Sequence, residues 1–204
     1  MGASTPRQRL RAVPRQIRSL DGQTVDTSGD SWAFQASADG GQLLVLSWAA
    51  LRAPPVFAVG AIHCVKLYLA DRLTRKKPRT VANDFGMFQR FGRWLASQKQ
   101  RPFDWRHLTE GLARGFLAHG MNTADKGNDF SRLRTFYEWS VAHNVGGFDA
   151  SFLRRLQAVT AVGNAKGHHV RFRDAVRGPF SPDELLLIRR AIVDGKGPML
   201  IAPA

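Results

Sequence analysis

The chain has 204 residues, 44% of them hydrophobic, which is enough to bury one good core with a small appendage. Thirty Lys and Arg against sixteen Asp and Glu leave a formal net charge of +14, an excess that favours a polyanionic partner, nucleic acid first. The longest apolar region, 43–62, is broken by Arg52 and by Pro54-Pro55, so it cannot cross a bilayer as a helix.

The chain opens on MGASTPRQRL, close to a myristoylation pattern except that Pro6 stands where Ser or Thr is required. No apolar stretch of a signal peptide follows, and the expectation is a cytoplasmic protein with no membrane partner. Residues 1–18 carry five arginines, no acids and two prolines, and read as a flexible basic arm that contacts DNA or is simply solvated. Two β-like runs come next. In 31–36, Trp32 and Phe34 alternate with polar or small residues, and 42–46 is separated from it by Ala38-Asp39-Gly40-Gly41, a hairpin signature. Pro54-Pro55 marks a candidate boundary, giving a basic arm and small β segment over 1–57.

From residue 58 the hydrophobic period becomes helical. Ile62, Val65, Leu69 and Leu73 share one face of a helix over 61–74, with Cys64 beside them as a buried thiol. Thr80 is placed to cap a second helix whose apolar stripe is Val81, Phe85, Phe88 and Leu95, widened by Met87, Phe91 and Trp94. Thr109 caps a third, carrying Leu112, Phe116 and Leu117 and stopping at Gly120. A fourth spans about 125–144 with Phe130, Leu133, Phe136, Tyr137 and Val141, and a fifth, 150–159, presents Phe152, Leu153 and Leu156. Short loops between such helices predict a compact, mainly α domain over 58–160. Residues 163–178 read as a basic linker. Ser181-Pro182-Asp183-Glu184 forms a capping box opening a last helix whose buried face is Leu185, Ile188 and Ile192, so 161–204 is a linker plus one helix.

The residues that could do chemistry are mostly cations. No cysteine pair or histidine cluster of zinc spacing exists, no phosphate loop and no Gly-x-Ser-x-Gly elbow, so neither a metal nor a cofactor nor a catalytic set is expected. Of the excess charge, the largest share lies in residues 51–100, where ten basic residues face two acids. Arg75, Lys76, Lys77 and Arg79 immediately precede the Thr80 cap, where cationic side chains and helix N-terminal N–H groups both suit phosphate. Arg90 and Arg93 lie off the apolar stripe of the same helix and are candidates for DNA contact. Lys126, Arg132 and Arg134 lie on or before the fourth helix and are candidates for a second DNA-facing surface.

Three runs resemble a known family. KLYLADRLTRKKPRTVANDFGMFQRFGRWLASQ is similar to the opening of the core-binding domain of tyrosine recombinases, the phage-integrase family. FSRLRTFYEWSVAHN resembles that family's Leu-Arg-x-Phe-Tyr-x-Trp helix, through Leu133, Arg134, Phe136, Tyr137 and Trp139. RGPFSPDELLLIRRAI resembles the entry into its catalytic domain. The runs fall in the family's order over about 58–195. The resemblance implies a SAM-like core-binding fold of four to five helices that grips duplex DNA, with the Thr80 helix and the 125–144 helix facing it. It also implies a linker, with Arg171 and Arg173, that tracks the DNA backbone, and further recombinase protomers as partners on the DNA. Asp129 departs from the pattern, standing where relatives often carry a basic residue. Catalysis in the family needs an Arg-Lys-His set and a tyrosine nucleophile. Here only Tyr68 and Tyr137 occur, both on amphipathic helices, and His168-His169-Val170-Arg171 matches the His-x-x-Arg spacing with no tyrosine after it. The expectation is a nucleoid-associated DNA-binding portion of a recombinase that does not itself cleave DNA. The alternative is a stand-alone basic helical regulator or architectural protein.

Overall fold

The computed structural model describes residues 12–36, 41–52, 56–98, 102–121, 128–159 and 182–194. The chain is mainly helical with a small β segment at its start, as the periodicities predict. Two antiparallel hairpins come first: β1 (Gln16–Arg18) with β2 (Thr24–Asp26), and β3 (Ser31–Ala36) with β4 (Gln42–Ser47). The second is the hairpin expected from the alternation, in register Trp32↔Leu46 and Phe34↔Leu44, with all four side chains buried. The first was not anticipated, and it corrects the reading of 1–18 as an arm, because Gln16, Ile17 and Arg18 belong to a strand. Its signal is one apolar residue per strand, Ile17 opposite Val25, closed by a turn at Gly22 with φ of 86°. Such a positive φ suits glycine.

The helices follow: α1 (Ala49–Arg52), α2 (Val59–Arg75), α3 (Pro78–Ser97), α4 (Glu110–Met121), α5 (Asn128–Ala142) and α6 (Ala150–Ala158). Every stripe residue named for α2 and α3 is buried, as are Phe116, Leu117, Phe130, Leu133, Phe136, Tyr137, Phe152 and Leu156. Thr109 caps α4 as expected, accepting from the Leu112 N–H at 3.2 Å, and the Asp149 carboxylate caps α6 through the N–H groups of Ser151 and Phe152. Thr80 does not cap α3. That helix begins two residues earlier, at Pro78, whose fixed φ suits the first helical position, and the N-cap is Lys77 with no side-chain bond.

Residues 1–162 form one compact unit, and the buried residues from Ile17 to Val159 belong to one hydrophobic cluster. Trp48 bridges the β segment to the helices, with its ring 4.8 Å from Trp32 and 5.3 Å from Phe85. The Leu20 N–H donates to the Leu73 carbonyl at 2.8 Å, tying the first hairpin to α2. At the centre of the helices sits Trp105, on a one-turn 3₁₀ helix, Trp105–His107. It stacks on Phe91 (5.8 Å, 11°), lies 4.6 Å from Phe136, and donates its indole N–H to the Ala61 carbonyl at 3.0 Å. Burying an aromatic body while satisfying its polar handle suits a core tryptophan.

The second unit, 163–204, contains one described helix, α7 (Pro182–Val193). Its expected buried face is not buried: Leu185 is 53% and Ile192 73% exposed, and Ile188 is partly covered. Among the described residues no helix is long and apolar enough to cross a membrane.

Candidate nucleic-acid interface

Arg75, Lys76, Lys77 and Arg79 stand together at the corner between α2 and α3, all exposed. Lys76 and Lys77 are extended, with ψ of 152° and 142°, and form the whole connection between the helices. Arg75 is paired with Asp71 at 2.8 Å, and Arg79 donates to the Gln42 side-chain carbonyl at 2.9 Å on β4. The two lysines make no ion pair among the described residues. Thr80 follows, partly buried on the first turn of α3.

The helix N-terminus adds less here than its position suggests. Pro78 has no N–H, and the N–H groups of Thr80 and Val81 both turn back to the Lys77 carbonyl, at 2.9 and 3.3 Å. The corner therefore offers side-chain charge rather than an open cradle of backbone donors. Arg93, further along α3, is exposed.

Arg90 and Arg132, both expected on the DNA-facing surface, are partly buried and join a polar network between α2, α3 and α5. Arg90 makes a forked pair with Asp129, Nη2 to Oδ1 at 2.7 Å and Nε to Oδ2. Arg132 reaches two carboxylates, Asp84 at 3.6 Å and Asp129 at 3.5 Å. Arg72 completes the set, its Nε 2.9 Å from Asp84 Oδ2. Asp84 and Asp129 are buried, and a buried carboxylate must be paired or protonated. That requirement draws the arginines in. Burial raises the Asp84 carboxyl above its ordinary value, against the opposing pull of Arg72 and Arg132. The sequence did carry a signal for this network. Asp84 lies on the apolar stripe of α3, between Val81 and Phe88, and Asp129 lies four residues before Leu133.

Arg134 is half-buried, its guanidinium over the Phe130 ring at 5.5 Å and its Nη1 3.4 Å from the Gln157 carbonyl. Lys126, Arg171 and Arg173 lie outside the described residues, as do His168 and His169. The structure thus keeps Lys76, Lys77 and Arg79 together, leaves Arg93 exposed, and pairs the partly exposed Arg90 and Arg132 with buried acids.

Neither tyrosine presents its hydroxyl to solvent. Tyr68 is 1% exposed and donates to Asp84 at 3.4 Å, and Tyr137 is 2% exposed and accepts from the Asp149 N–H at 3.0 Å. Burial raises both phenols above their usual range. Among the described residues no group of three His, Cys, Asp or Glu converges as metal ligands. No protein-family model, curated protein or solved structure matches the chain.

Proposed function

We propose that this chain binds duplex DNA through the basic corner between α2 and α3, as the DNA-gripping portion of a tyrosine-type site-specific recombinase. In that role it serves DNA integration and recombination in the cytoplasm, at the nucleoid, alongside other recombinase protomers and without cleaving a strand itself. The observation that carries the reading is the exposed Lys76-Lys77 link, two cations with no ion-pair partner among the described residues in a chain of net charge +14. The charges of Arg90 and Arg132 are paired with the buried Asp84 and Asp129. Lys76 and Lys77 keep theirs for a ligand, and a phosphate backbone is the polyanion they suit. The order of the three recombinase-like runs supports the family.

The experiment is fluorescence-anisotropy binding of the whole chain to a labelled duplex across a salt series, with heparin as a charge-only competitor. Expected is binding whose logarithm falls linearly with the logarithm of salt concentration, by about 0.9 per phosphate neutralised, and a preference for duplex over heparin. Absence of binding at low salt sinks the proposal.

A further inference from the structure

A second site adjoins the basic corner, between β1, α2 and the end of α5. There the structure forms a solvent-open cleft of about 720 Å³, within the range of ligand pockets. Ile17, Leu67 and Ala70 supply apolar lining, and Trp139 and His143 form an aromatic wall. The wall is built rather than incidental. The Trp139 indole N–H donates to Asp71 Oδ2 at 2.9 Å, His143 stacks on Trp139 at 4.6 Å, and the His143 Nδ1–H donates to the Trp139 carbonyl at 2.8 Å. Just beyond, α5 ends in a Schellman turn, with Asn144 at φ 52° and the Val145 N–H on the Ser140 carbonyl at 2.9 Å.

The remaining side of the cavity is the open edge of a strand. The Thr27 N–H donates to the Arg15 carbonyl at 2.9 Å and the Ser19 N–H to the Gln23 carbonyl at 2.8 Å. Hydrogen-bonded positions alternate in an antiparallel pair, so 15, 17 and 19 face β2, and the N–H and C=O groups of Gln16 and Arg18 face outward. Among the described residues β1 pairs only with β2. Leu20, the next outward position, reaches Leu73 of α2 and closes the gap at that end. Towards Arg18 and Gln16 the gap opens into the cavity. Main-chain donors and acceptors unpaired among the described residues, beside an apolar pocket, call for one kind of occupant, an extended backbone with alternate side chains turned inward.

We propose that β1 accepts an added strand, an extended peptide that places a large apolar side chain against Trp139 and carries Asp or Glu on either side of it. The charge preference follows from the rim. Arg18 lines the cavity, Arg15 immediately precedes the strand, and the acid on the wall, Asp71, is already paired with Arg75 at 2.8 Å.

The test uses the full chain and a fluorescein-labelled nine-residue peptide in which Phe and Leu alternate with Asp and Glu, read by anisotropy. Saturable binding is expected, with two further signatures. N-methylation of alternate peptide amides in one register lowers affinity by roughly tenfold or more, and in the other register leaves it unchanged. Filling the cavity by Thr74→Trp abolishes binding. No binding of the parent peptide overturns the proposal, as does equal binding of both methylated peptides. Equal affinity for N-acetyltryptophan amide also overturns it, because the cavity would then take a free aromatic molecule without strand pairing. The methylated peptides need no altered protein, so they decide the matter if the Thr74 variant does not fold.

Discussion

Arg90 and Asp129 join α3 to α5 through a forked pair of hydrogen bonds, with Arg132 of α5 sharing the same carboxylate. Asp129 is 7% exposed in its side chain while Arg90 keeps 42%, so the acid depends on the pair more than the base does. Asp129→Ala therefore leaves two guanidinium groups with less compensation at a helix interface. The expected loss of stability is about 3 kcal/mol, at the lower end for a buried pair because water still reaches Arg90. Urea unfolding checks it, and a loss no larger than that of a surface Lys76→Ala change would contradict the structural role.

The corner lysines should behave in the opposite way. Replacing Lys76, Lys77 and Arg79 together by Ala is expected to change stability little and to lower the salt slope of DNA binding by up to about three phosphate equivalents. A variant with the parent slope would show that the cations lie off the DNA path.

Asp84 sets a pH dependence of definite sign. Its folded pKa is raised above 3.8, burial being the first cause, so the folded state holds the proton more tightly than the unfolded chain. The contribution to stability is full below the unfolded value and is lost as pH rises through the folded value. The stability of the parent relative to Asp84→Asn should therefore be greatest near about pH 4 and decline towards neutrality. Paired urea titrations at several pH values measure it, and an advantage that grows with pH would mean Arg72 and Arg132 outweigh the burial.

Gly92 is required by a close approach rather than by backbone freedom. A Cβ there would lie 2.7 Å from Cε2 of Phe57, whose ring is hemmed in by Phe91, Phe103 and Trp105 at about 6 Å. Gly92→Ala gains roughly 1 kcal/mol of helix propensity but overpacks this cluster at a cost of about 1–3 kcal/mol. A net loss in melting temperature is expected, and a rise would show that Phe57 can move.

Cys64 should be inert in the native chain. Burial, with Asp104 adding to it, pushes the thiol up to about 12, so almost no thiolate exists near neutrality. Labelling by a thiol reagent at about pH 8 is expected to proceed at the rate of opening in buffer and at the rate of an ordinary free thiol in urea. Fast native labelling would contradict the burial.

The sequence by itself determined which face of each main helix is apolar. A 3.6-residue period survives whatever surrounds it, so Val65, Leu69, Phe85 and Phe88 were legible as core before any fold was known. The Trp32–Phe34 hairpin was legible in the same way, through a period of two. The first hairpin was not, because one apolar residue in a three-residue strand makes no period. The cations divided along the same line. Lys76 and Lys77 stay exposed because the helix link offers them no acid, whereas Arg90 and Arg132, written on α3 and α5 like any solvated residue, are claimed by Asp129 and Asp84. That choice lay beyond the sequence, since the fate of a charge on an amphipathic helix depends on which acid lies opposite it across the interface. Only the packing of α2, α3 and α5 brought those acids within reach.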